Sequence, residues 1–211
     1  VQYSERTPND KIAIIAIDDE SIINIGRWPW SRDIHAQMHE LLTEGGAKAI
    51  GQTVFFTEPQ IDPGLEYIQE LKTIFENSQL STIPENLEEI NQIKEYIASA
   101  EITLNTDKTL AESMQQTGNV MLAMPFELGD PIGRPNDAPP EYIQRNKLPE
   151  NNIIDDININ PDGWRPLPMI DMLAPVANIG EASSNIGAFI NVLDVDGGIR
   201  SEPLVVDYYE D

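Results

Sequence analysis

Residues 26–42, GRWPWSRDIHAQMHELL, gather two tryptophans, two arginines and both histidines of the 211-residue chain into one passage. His35 and His39 stand four apart, which puts them on one helix face at the spacing of a zinc-binding pair. The sequence between them is AQM, so the glutamate of the metalloprotease pattern HExxH is missing. The pair is therefore expected to flank an apolar stripe, partly solvated, rather than to hold a metal. Trp28 and Trp30 flank Pro29. In an extended stretch, residues two apart project to the same side, so the two indoles could sandwich a flat or cationic ligand. They could equally bury as anchors for the entry of the following helix, and that reading is favoured. Arg27 and Arg32 are natural partners for Asp18, Asp19 or a ligand carboxylate.

The acids offer a second chemistry. Asp18 and Asp19 close a run of isoleucines, and Glu58 lies just past a second apolar run. In open α/β sheets ligands collect outside the carboxyl ends of strands, where converging carboxylates could hold magnesium. The competing and simpler reading gives Asp19 to a helix cap and Asp18 to loop backbone or an arginine. DVDG at 194–197 opens like a calcium loop but lacks the later ligands, so Asp194, Asp196 and Gly197 are read as a turn. There is no cysteine, nucleophile elbow, P-loop or GxGxxG fingerprint. No catalytic residue, metal or cofactor is expected.

Elements must position these groups. KIAIIAID (11–18) reads as a buried parallel strand, followed by a short helix from Glu20 to Ile25 that Gly26 stops. Ser31 can cap the next helix, whose apolar stripe would be Ile34, Met38, Leu41 and Leu42. AKAIGQTVFF (47–56) is a second strand, completing a strand–helix–strand unit. Residues 65–76 and 86–102 show helical periodicity and form an acidic helical insertion over about 63–104. Asp107 is placed as the cap of a helix ending at Thr117, with NVMLAMPF (119–126) as a third strand. Residues 129–168, rich in proline, asparagine and aspartate, read as a long irregular loop, followed by a helix over about 168–178. NIGAFINV (185–192) and IRSEPLVVDY (199–208), joined through Asp196-Gly197, read as a closing β-hairpin. The expected fold is one α/β domain over 1–211, with a mixed, mostly parallel sheet flanked by helices.

The net charge of −23 is spread along the chain with no basic patch. Such a surface repels phosphate backbones and disfavours nucleic acid. The longest apolar run, IAIIAI, is far below the ~20 residues that span a bilayer. With no signal peptide and a start at Val1, the chain is expected to be a piece of a longer protein.

Taken in order, IAIIAIDDESIINIGRWPWSRDIHAQMHELLTEGGAKAI, VFFTEP, DKTLAESMQQTGNVMLAMPF and GAFINVLDVDGGIRSEPL resemble the CHASE domains of the second type. The IDD–GRWPW–R combination and the DxDGxxR–PL ending, which includes Arg200, carry the likeness. Members usually have an aspartate where this chain has Thr53, which weakens any acidic cluster around Asp18. The resemblance implies an extracytoplasmic (periplasmic) sensory module of a bacterial membrane receptor, tethered through flanking transmembrane helices. Its outputs would be a nucleotide cyclase, histidine kinase, serine/threonine kinase or diguanylate cyclase. An unknown small-molecule or ionic signal would be sensed near Asp18, Asp19, Arg27, Trp28, Trp30, Arg32 and Glu58, and a homodimer is plausible. A metal-dependent hydrolase using Asp18 and Asp19, and a ligand-free dimerisation scaffold, are the alternatives.

Overall fold

A computed structural model describes residues 9–82, 88–129, 138–148, 166–189, 196–198, 203 and 205–208. The chain divides into two compact units, Val1–Trp30 and Ser31–Asp211.

In the first unit residues 12–17, expected as a strand, form no ladder with any described residue. Hydrophobicity makes such a run suited to a sheet interior, but a strand exists only where a neighbour takes up its backbone groups. The helix that follows, α1 (Asp19–Ile25), begins one residue earlier than expected. Its cap is Asp18, not Asp19: the Asp18 carboxylate accepts from the Ser21 amide, and the Ser21 hydroxyl accepts from the Asp18 amide. Gly26 ends the helix at φ 128°, a conformation that a side chain would strain.

The second unit opens with α2 (Arg32–Glu44), then β1 (Ile50–Gln52), α3 (Pro63–Glu76), a short 3-10 turn (Gln79–Thr82), α4 (Glu88–Leu104) and α5 (Thr106–Thr117). β2 (Val120–Leu128), α6 (Glu141–Gln144), β3 (Leu167–Met172), α7 (Ala177–Ala182), β4 (Asn185–Phe189) and β5 (Val206–Tyr208) follow. Local chemistry explains most boundaries. The Asp62 carboxylate caps α3, with Pro63 at the first helical position. Asn105, rather than Asp107, caps α5, and Gly118 closes that helix in the left-handed conformation.

The sheet is mixed and mostly parallel, as expected. β2 is its spine: its first half pairs in parallel with β1 and β4, and its far end pairs antiparallel with β3, which pairs in parallel with β5. One expectation fails here. The helix placed at 168–178 is instead strand β3 and then α7, because Leu167–Met172 finds ladder partners on both sides and Pro175 intervenes before the helix. Of the closing hairpin, the described ends β4 and β5 pair with different neighbours, and its residues 190–195, 199–202 and 204 lie outside the described residues. The turn itself stands: Gly197 has φ 77°, and the Asp196 carboxylate accepts from the Gly198 amide at 3.1 Å. Asp194, Arg200 and most of the 129–168 loop lie outside the described residues.

The core of this unit lies where α2, α5 and α7 meet the sheet. Leu110, Met114, Val120 and Ile179 are fully buried there, and Phe56 nearly so. α3 and α4 form the expected hairpin, in which α3 buries no residue and α4 buries Ile90 and Ile97.

Candidate functional site

The proposed site residues fall in both units. In the first, Asp18 is exposed and its carboxylate is committed to the α1 cap, which also holds its pKa below the usual value through the Ser21 hydrogen bonds. Asp19 and Arg27 are exposed. Trp28 and Trp30 lie on either side of a cis Pro29 peptide, with their ring centroids 5.4 Å apart and planes at 76°. The rings meet edge to face, so they pack on each other and leave no slot between parallel faces. The Trp30 indole donates to the Gly26 carbonyl at 2.8 Å and is buried, which ties the tryptophan turn to the end of α1.

In the second unit Arg32 is a hub. Its Nε donates to Asp107 Oδ1 at 2.9 Å, and the pair is shielded, with side chains 14% and 10% exposed. A second guanidinium nitrogen donates to the Glu58 carbonyl at 2.7 Å, and the group lies 4.5 Å from the centroid of the Phe56 ring. The other Asp107 oxygen accepts from the Gln60 amide at 2.8 Å. Gln60 Oε1 in turn accepts from the Arg32 amide and the Thr106 hydroxyl. The residues after β1 are thus fastened to the start of α2 and the start of α5. Glu58 takes part through its backbone, while its side chain is exposed. The acid that Arg32 engages is Asp107, which sequence reading had assigned to a cap. Gln60 and Phe56 were missed altogether. No local spacing links position 32 to 107; the closest signal is that Arg32, FFTEP and the DKTLA segment are the pieces that carry the family likeness.

One turn along α2 the expected apolar stripe is overturned. His35, Ala36 and His39 are the buried face, whereas Ile34 and Met38 are half-buried and Leu41 is 64% exposed. α5 packs on this face, and its Ser113 hydroxyl donates to the Ala36 carbonyl at 3.1 Å. The small Ala36 and the flat imidazoles admit that close approach, which a ridge of Ile and Leu would block. Gln52 of β1 lies between the two rings: its amide oxygen is 3.3 Å from His39 Nε2, and its amide nitrogen 3.5 Å from His35 Nδ1. His35 also meets Phe56 edge to face at 5.4 Å. Burial pushes His35 down to about 4, helped by His39 and Arg32. Burial also lowers His39, against the opposing pull of Gln52 and Glu40. Both rings are neutral at pH 7 and belong to the interior, not to a solvated flank.

Among the described residues, no group of three or more histidine, aspartate or glutamate side chains is placed to hold a metal ion. No helix among them is long and apolar enough to cross a membrane. The family model described as CHASE2 domain matches residues 1–210. No curated protein and no solved structure matches.

Proposed function

The chain belongs to the CHASE2 domain family, and from that premise we propose that it is the input domain of a bacterial transmembrane receptor. CHASE2 domains are extracytoplasmic sensory modules of receptors, not catalytic domains. On this reading the domain lies in the periplasm, tethered by transmembrane helices, and governs a cytoplasmic cyclase or kinase, with dimerisation as the route of transmission. The family match over nearly the whole chain carries the reading. Two features of the molecule agree with it. Arg32, Asp107 and Gln60 hydrogen-bond one another and so join three segments, a structural use of these side chains. Asp18, the first ligand of the alternative metal hydrolase, gives one carboxylate oxygen to a helix cap.

The test is the parent reading frame and its output. Hydrophobic spans on both sides of this segment and a cytoplasmic cyclase or kinase domain are expected. Deleting residues 1–210 from that parent should uncouple the output from outside conditions. A free-standing cytosolic protein would sink the proposal, as would an output indifferent to the deletion.

A further inference from the structure

We propose that the His35–Gln52–His39 contact is an acid-released latch between α2 and the sheet, and that the proton is a signal this domain receives. The second half of that statement rests on the sensory reading; the first does not.

One amide sits between two rings, which restricts their protonation. The Gln52 oxygen can only accept, so His39 Nε2 must carry a hydrogen. The Gln52 nitrogen can only donate, so His35 Nδ1 must be bare. A proton added to His35 Nδ1 sets two donors face to face. Rotating the amide by 180° gives His35 an acceptor but turns the amide hydrogens towards the Nε2–H of His39. That clash is relieved only if the His39 proton moves to Nδ1, and His39 Nδ1 is buried with no partner among the described residues. Once a proton has entered, the arrangement of this amide that keeps both contacts makes His39 Nδ1 a buried donor without an acceptor among the described residues and places a charge where burial opposes it. The latch holds without that cost only while both rings are neutral.

Among the described residues, the surrounding charges do not favour the protonated state on balance. On α2 itself, Arg32 opposes a charge on His35, Asp33 favours it, and Glu40 favours one on His39. α5 contributes Asp107, which is already paired with Arg32, and the exposed Lys108–Glu112 pair. β1 contributes no titratable side chain, and Phe56 covers one side of His35 with an aromatic ring.

The direction of the response follows. An unfolded histidine takes up a proton near pH 6.5, whereas folded His35 declines it until about 4. Between those values the unfolded chain binds more protons, so stability falls as pH falls and is regained as pH rises through 6.5. Among the carboxylates, relief of self-repulsion in a chain of net charge −23 works the other way, whereas those held below their usual values, Asp18 and Glu101, contribute stability that acid removes too. Carboxylates titrate mainly below pH 5, so the interval from pH 7 to 5 isolates the histidines.

The experiment joins imidazole nitrogen NMR to thermal unfolding of this chain. Expected are both rings neutral at pH 7, each with its hydrogen on Nε2, and a His35 ring still neutral at pH 6. The melting temperature should drop by roughly 5 °C from pH 7 to 5, and His35→Phe should flatten that drop. The NMR titration needs no variant, so a His35→Phe chain that fails to fold leaves it decisive. A ring titrating near 6.5 in the folded chain, or a melting temperature that holds or rises from pH 7 to 5, overturns the latch. In the parent receptor, an output that needs this domain yet ignores outside pH overturns the proton as signal. An output unchanged by deleting the domain refutes the sensory reading instead, and leaves the latch standing.

Discussion

The seam between α2, α5 and β1 and the hairpin of α3 and α4 invert the usual placement of polar and apolar groups. At the seam, Asp107 and two histidines are buried, and their partners Arg32 and Gln52 are half-buried. On the hairpin Tyr67, Ile74, Tyr96 and Ile102 stand more than half exposed, and Leu71 and Ile93 line a shallow groove of about 380 Å³. The hairpin's own ion pair, Lys72–Glu101 at 2.7 Å, lies partly in water. The contrast separates hydrophobic content from structural weight. Buried polar atoms cost much when a partner is lost, whereas exposed apolar ones contribute little to the fold.

The largest test of that contrast is Asp107→Ala. It strands the Arg32 guanidinium and the Gln60 amide together, and should cost roughly 3–5 kcal/mol in urea unfolding. A loss below about 1 kcal/mol would make the seam no more important than a surface pair. Next comes a matched truncation. Leu110→Ala, at a fully buried position of α5, should cost about 2–5 kcal/mol, and Leu71→Ala on α3 under about 0.5. Equal losses would mean the hairpin is a second core. The smallest effect belongs to Lys72→Met. It should barely move the urea midpoint, and what shift there is should fade in high salt. A salt-resistant loss would show that this pair is shielded after all.

Much of this architecture was legible in the chain because its signals are local. The α3–α4 pair announces itself through periodicity, and Gly118 marks the end of α5 at the residue where the helix stops. β2 was readable as an apolar run before any partner was known. What stayed hidden is what distant segments decide. Apolar periodicity chose the Ile34–Leu41 side of α2, but the packing of α5 chose the histidine side. Leu167–Met172 became a strand because β2 and β5 offer it backbone partners. Of the expected site residues, Arg32 and the backbone of Glu58 meet in one hydrogen-bond network, but Arg32's counter-ion Asp107 was not legible, since 75 residues separate the two. The isoleucine run at 12–17, apolar enough to read as a strand, carries no ladder with any described residue.

β2 has a mechanical consequence. Its nine residues carry ladders along both flanks, with β1 and β4 held at one end and β3 at the other. Slipping by one residue would turn every side chain to the opposite face and break all of those ladders together. A tug applied where Ile50–Gln52 grips this strand is therefore not absorbed along its length: the strand behaves as a tie-rod, and its far end must travel with it or the joint must fail.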